Sequence, residues 1–412
     1  MASVSSGKRR GSENAAETES GENMMSYAPF QSATIPQDRL LPGIHGLRGM
    51  ATFAVVLFHL VHIGGIATPH SFAFIGADFG KGVHLFFVLS AFSLMHSTEH
   101  TMYRTTWATE YFVKRFFRIA PLYYFIMAGM LLWSVIKSQT WTVDFQTLIL
   151  NLTFTFGFAP WTGIVWAGWT VGIEMIFYAI LPVLLLTVRT RFATLILVVI
   201  SILVTYAARL SLHGHFEITV THYGYNWSYF SFATNLCFFA FGMYAYRLAQ
   251  HFDRTSVVVR WAVPAFATAL LGTLLLGRLY NVYQGDLMLW GVGFAALSLW
   301  QCKWPSRWSA NKMLEYVGER SYSVYLLHPV VIVLFKNPIQ ALYGTLTPAM
   351  GAYAYFVCAV PLLLTLLLLS EMTYRLIEVP AIRRGQKINA SLRKAESMSH
   401  DGAGAGAIRQ DT

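Results

Sequence analysis

The chain has 412 residues, 55% of them hydrophobic and only 12% charged, a composition that excludes an ordinary soluble domain and predicts an all-α polytopic membrane protein in contact with the lipid bilayer. The net charge of +10 does not indicate a nucleic-acid partner, because the Lys and Arg residues fall between apolar runs and do not build one basic face. Cys237, Cys302 and Cys358 lie in or beside apolar runs with no CxxC pair, so neither a disulfide framework nor a thiolate metal site is expected, and no metal cofactor.

Residues 1–40 are polar and lack a run long enough for a signal-peptide core, which predicts a disordered cytoplasmic tail; the first span then acts as its own insertion signal. A membrane domain over 41–384 follows, and 385–412, closing GAGAGAIRQDT, is expected to be a second disordered cytoplasmic tail. Runs of near twenty apolar residues predict about ten transmembrane helices near 43–63, 81–97, 120–137, 165–188, 192–210, 228–248, 258–277, 286–301, 321–337 and 352–374. The run 146–158 is short for a span and suits a short re-entrant or interfacial segment. Lys and Arg concentrate in alternate connections, while 64–80, 138–164, 211–227 and 338–350 are expected to be outer loops poor in them. Ten spans with both termini cytoplasmic follow from the positive-inside rule, and an eleventh span at 146–158 would break the bias; the expected location is the cell (inner) membrane.

The first span, IHGLRGMATFAVVLFHL, carries Arg48 and His59. Eleven residues on a helix put both on one face, about 16 Å apart along the axis. A titratable imidazole in a membrane helix is costly and is retained mainly where it does chemistry or conducts protons. In GKGVHLFFVLSAFSLMHS, Gly82, Ser90 and Ala91 allow close helix approach, and His84 is a further candidate, although a histidine at the membrane interface is the blander role. The stretch YFVKRFFRIAPLYYF sets Arg115 and Arg118 at i and i+3, a spacing that suits a phosphate gripped by two guanidinium forks and equally suits topology-setting residues. WTVGIEMIFYAILP holds Glu174 inside an apolar run, where a carboxylate is functional or paired with Arg or His. GERSYSVYLLHPVVI places His328 just before Pro329, where it either packs against the kink or joins the chemistry.

Together these blocks, in this order, resemble the acyltransferase-3 family of integral membrane acyltransferases. Arg48 and His59 match its arginine, ten residues, histidine motif. GVHLFFVLSAF, RFFRIAPLYY, WTVGIEMIFYAILP, SYSVYLLHP and IEVPAIR resemble its further blocks, over about residues 40–388. His45 stands where an aspartate is common, and Ala91 replaces the usual glycine, which narrows the room for helix approach there. The resemblance implies ten helices and transfer of an acyl group from cytoplasmic acyl-CoA to a hydroxyl, usually of a carbohydrate or glycoconjugate. The residues after 388 are too few for an appended esterase-like domain, so any second transfer step is expected to need a partner or none at all. On this reading His59 is the general base or a transient acyl carrier, Arg115 and Arg118 hold the coenzyme A phosphates, and Arg48 meets the pantetheine, thioester or a phosphate. Glu174 orients the imidazole or tunes a partner arginine. The competing class is a membrane transporter that uses intramembrane His, Glu and Arg as a proton relay, although no inverted repeat is visible.

Overall fold

A computed structural model describes residues 41–138, 143–159, 162–215, 227–276 and 283–407. The tail expected over 1–40 lies outside them, as do most of 211–227 and Arg278. In chain order the helices are α1 (Pro42–His62), α2 (Phe74–Asp78), α3 (Gly82–Thr98), α4 (Trp107–Ser138), α5 (Phe145–Leu152), α6 (Trp169–Thr187), α7 (Arg191–His215), α8 (Leu236–His251), α9 (Val263–Leu275), α10 (Tyr283–Lys303), α11 (Lys312–Glu319), α12 (Ser321–Leu334), α13 (Lys336–Met350), α14 (Ala354–Thr373) and α15 (Val379–Ala407). No strand occurs among the described residues.

Among the described residues, seven stretches are long and apolar enough to cross a membrane: Pro42–His62, His70–Thr101, Trp107–Lys137, Trp166–Thr187, Arg191–Ser211, Val258–Leu275 and Lys336–Met398. Helices α8, α10 and α12 occupy the other three expected positions without meeting that criterion. α8 is only 16 residues and α12 only 14, and α8 buries Phe238, Phe239 and Phe241 within the protein. By contrast, α7 turns Phe192, Leu195, Ile196, Val199, Ile200 and Leu203 outward, an apolar stripe that only lipid or another protein would cover.

Glycines seat α1. A Cβ added at Gly46 would lie 1.8 Å from the Ser309 carbonyl oxygen, and one at Gly49 2.3 Å from that of Leu314. Only glycine lets α1 approach the backbone of α11 and its N-terminal loop so closely, the small-residue logic of membrane helix packing. Ala91 does not cost α3 its close neighbour. The glycine is on the other helix: a Cβ at Gly242 of α8 would meet Ala91 Cβ at 2.9 Å and the Val88 carbonyl at 2.2 Å.

Over 146–158 the chain forms the eight-residue α5, a left-handed turn at Phe154 (φ 59°) and a 3₁₀ turn over Thr155–Phe158. Eight helical residues rise about 12 Å, too little to cross a bilayer. Asp144 caps α5, accepting from the Thr147 backbone N–H and hydroxyl, and these bonds hold its carboxyl below the ordinary range. Fully buried Asn151 pins the segment: its Oδ1 accepts from the Tyr123 hydroxyl and the Ile164 N–H, and its Nδ2 donates to the Thr147 and Thr162 carbonyls.

The tail expected from 385 does not begin there. Helix α15 continues to Ala407, and its described side chains pack along α4. Asn389 donates to the Glu110 carbonyl, Arg393 pairs with the Glu110 carboxylate at 2.9 Å, and Gly385 lies against Phe117. These polar and charged contacts replace the apolar periodicity whose absence made the stretch look unstructured.

Candidate active site

His59, near the end of α1, and His328, inside α12, meet edge to edge. His59 Nδ1 lies 2.9 Å from the Val55 carbonyl oxygen and 3.1 Å from His328 Nε2, and the two ring centroids are 4.8 Å apart. His328 is fully buried and its Nδ1 contacts the Tyr325 carbonyl oxygen at 2.5 Å. His59 is half-buried, and its Nε2 makes no hydrogen bond among the described residues.

Toward the other end of α1, Arg48 lies in a charged group with Glu174 and Tyr178 of α6 and with Arg115 and Arg118 of α4, all within electrostatic reach. The Tyr178 hydroxyl donates to Glu174 Oε2 at 3.0 Å and sits 3.3 Å from Ser90 Oγ. Glu174 therefore faces this group, and the imidazole of His59 takes its bonds from Val55 and His328 instead. Of the two roles expected for Glu174, the geometry matches the one beside an arginine.

The two arginines of α4 part company. Arg118 donates to Glu378 Oε2 at 2.5 Å and to the Glu319 carbonyl at 3.1 Å. Glu378, only 1% exposed, also accepts from the Ser323 hydroxyl, and it is turned inward by a π-helical turn over Tyr374–Glu378. Arg118 is thus paired with a buried carboxylate, whereas its spacing alone suited a phosphate grip and a topology-setting role equally. Arg115 and Arg48 are different: each has a buried Nε with no hydrogen-bond partner, and neither is paired with a carboxylate among the described residues. Both guanidinium groups are half-buried and so carry an unsatisfied donor inside the protein.

His84 stands apart from both groups. It is fully buried among Phe87, Tyr229 and Phe238, with Asn235 and the Lys81 carbonyl its nearest polar neighbours but no well-formed hydrogen bond to either. No cluster of three or more His, Cys, Asp or Glu gathers as a metal site among the described residues. Sequence reasoning passed over Tyr178 and Glu378 and read Ser90 only as a small residue at a helix contact. Tyr178 lies four residues after Glu174, one helical turn, a spacing that could have signalled the contact; nothing in the sequence announces that Glu378 meets Arg118.

Residues 41–368 match the family model described as an acyltransferase domain of the acyltransferase-3 type. The chain is 25% identical over 396 residues to the O-acetyltransferase OatA of Staphylococcus aureus (strain MRSA252), covering 87% of this chain and 60% of that protein. It is 22% identical over 379 residues to the peptidoglycan O-acetyltransferase OatA of Listeria monocytogenes serovar 1/2a, covering 84% and 56%. The chain thus spans about 60% of the length of the curated relatives it matches. No solved structure matches it.

Proposed function

The chain belongs to the acyltransferase-3 family, and on that premise we propose that it is a membrane O-acyltransferase moving an acetyl or similar group from acyl-CoA to a carbohydrate hydroxyl. The observation that carries this reading is His59, a half-buried imidazole on a membrane helix, anchored through one nitrogen and open at the other. The relatives' names supply the acceptor class: one is a peptidoglycan O-acetyltransferase, and a cell-envelope glycan is the acceptor we assign here.

In the proposed reaction, Nε2 of His59 takes the proton of the acceptor hydroxyl while the oxygen attacks the thioester carbonyl. The C–S bond breaks, and the departing thiolate takes that proton, leaving the ester and free coenzyme A. In the covalent version, the same nitrogen attacks the thioester carbonyl and the C–S bond breaks to release the coenzyme A thiolate; the hydroxyl oxygen then attacks the acyl-imidazole, the N–C bond breaks, and the hydroxyl proton ends on the thiolate. Arg48 and Arg115 receive the donor's phosphate or thioester oxygens, since both offer unpaired N–H donors. Arg118 supports that site through Glu378. Glu174, which accepts from the Tyr178 hydroxyl, lies within electrostatic reach of Arg48 and tunes that arginine. We take ten spans with both termini in the cytoplasm, because Lys and Arg concentrate in alternate connections; the arginine group then faces the cytoplasmic pool of acyl-CoA.

The test is thioester consumption by the purified protein in lipid, with labelled acetyl-CoA and a glycan acceptor. Coenzyme A release matched by ester formation on the glycan is the expected result. Solute movement across liposomes without thioester cleavage would instead establish a transporter.

A further inference from the structure

Pro329 has no N–H, so the carbonyl of Tyr325, four residues earlier in α12, lacks the amide that would normally bond to it. In a membrane helix a freed carbonyl needs another donor. His328 Nδ1 is that donor, at 2.5 Å. A carbonyl oxygen only accepts, so His328 Nδ1 carries the hydrogen, and in the neutral ring His328 Nε2 is an acceptor. The same reasoning applies to His59, whose Nδ1 faces the Val55 carbonyl at 2.9 Å. That nitrogen must also carry hydrogen, and it points at His328 Nε2 at 3.1 Å. Two carbonyls therefore set the donors in one direction: His59 Nδ1–H donates to Val55 and to His328 Nε2, His328 Nδ1–H donates to Tyr325, and Nε2 of His59 keeps a bare lone pair.

We propose that His328 is a positioning residue for acyl transfer, oriented by the carbonyl that Pro329 frees, and that it fixes His59 with Nε2 as the reactive nitrogen. The proposal rests on the acyltransferase reading above. When Nε2 takes a proton, the ring becomes cationic and its Nδ1–H becomes a stronger donor. A neutral imidazole acceptor at that point stabilises the cation without a second buried charge, which an apolar span would make costly. This also accounts for His328, 269 positions along the chain from His59, being fully buried with both of its nitrogens engaged.

Two measurements on the full-length protein in lipid bilayers test the assignment. Nitrogen NMR of ¹⁵N-histidine-labelled protein, with His59→Asn identifying the His59 signals, should show an unprotonated Nε2 and a protonated Nδ1. The opposite tautomer overturns the proposal, whether or not the protein proves to transfer acyl groups. The second measurement compares His328→Gln, which retains an amide oxygen to accept from His59, with His328→Met, which has similar bulk and no such acceptor. Met should lower kcat by about tenfold or more with KM for acetyl-CoA unchanged, and Gln should recover most of the loss. Equal kcat in wild type and the Met variant overturns it. If the Met variant does not fold, the NMR tautomer decides. A wild-type protein without transferase activity refutes the function but leaves the tautomer measurement standing.

Discussion

Arg115 and Arg118 look interchangeable by spacing, and the structure predicts opposite consequences for replacing them with glutamine. Arg118→Gln removes the partner of Glu378, a carboxylate 1% exposed that would keep only the Ser323 hydroxyl. Stranding one half of a buried ion pair typically costs 3–5 kcal/mol, and because Arg118 is itself 26% exposed the lower end applies, about 3 kcal/mol. The expected result is a clearly lower thermal unfolding temperature in a fixed detergent. The double variant Arg118→Gln, Glu378→Gln should recover most of that loss, since no charge is left unpaired. Arg115→Gln breaks no ion pair, so its stability should stay close to wild type. Losing a charge-assisted hydrogen bond to a donor phosphate costs about 1.5–3 kcal/mol, a rise in acyl-CoA KM of roughly 10- to 150-fold. Unfolding scans and saturation curves on both variants measure these two effects separately. An Arg118→Gln protein of wild-type stability with a raised KM, beside an Arg115→Gln protein with an unchanged KM, would refute the division of roles.

Asn151→Leu should leave the 143–164 segment open to proteolysis, because four hydrogen bonds are lost at once, one of them from the buried Tyr123 hydroxyl, and an unsatisfied buried group costs about 1–3 kcal/mol; limited proteolysis resolves this. Gly46→Ala should destabilise by about 1–3 kcal/mol through a clash with the Ser309 carbonyl, read as a lower unfolding temperature than that of Gly344→Ala, where an added Cβ meets nothing. A reporter active only in the cytoplasm should work at the C-terminus and fail when inserted near Gly214, and activity at both sites would remove the ten-span topology.

Much of the helical pattern was legible because a sustained apolar run of near twenty residues is what a membrane-crossing helix requires, and Arg48, His59 and Glu174 stood out as ionisable residues inside such runs. What the chain could not display was pairing at long range. His59 and His328 were each visible, but their contact depends on how α1 and α12 pack. Pro329 was legible as a kink, whereas its consequence, a freed carbonyl at Tyr325, needs the direction of the His328 ring. Arg118 was separated from Arg115 by a carboxylate 260 positions later, presented by a π turn that no periodicity announces. The stretch after 385 misled because its helix is held to α4 by Asn389 and Arg393, polar contacts that mimic the composition of a solvated tail. Asn151 hid in an apolar run for a related reason: most of its hydrogen bonds go to backbone groups, which no sequence pattern marks.

The central claim is that His59 performs the transfer chemistry, and His59→Asn tests it most directly. Asparagine preserves polarity and approximate size but is no base near neutral pH, so turnover should fall about 10²–10⁴-fold. Acyl-CoA affinity should persist, because the proposed donor contacts lie at Arg48 and Arg115, toward the other end of α1. Turnover and acyl-CoA binding measured on one purified, folded sample of His59→Asn should show the first lost and the second kept; turnover retained at the wild-type rate would contradict the account.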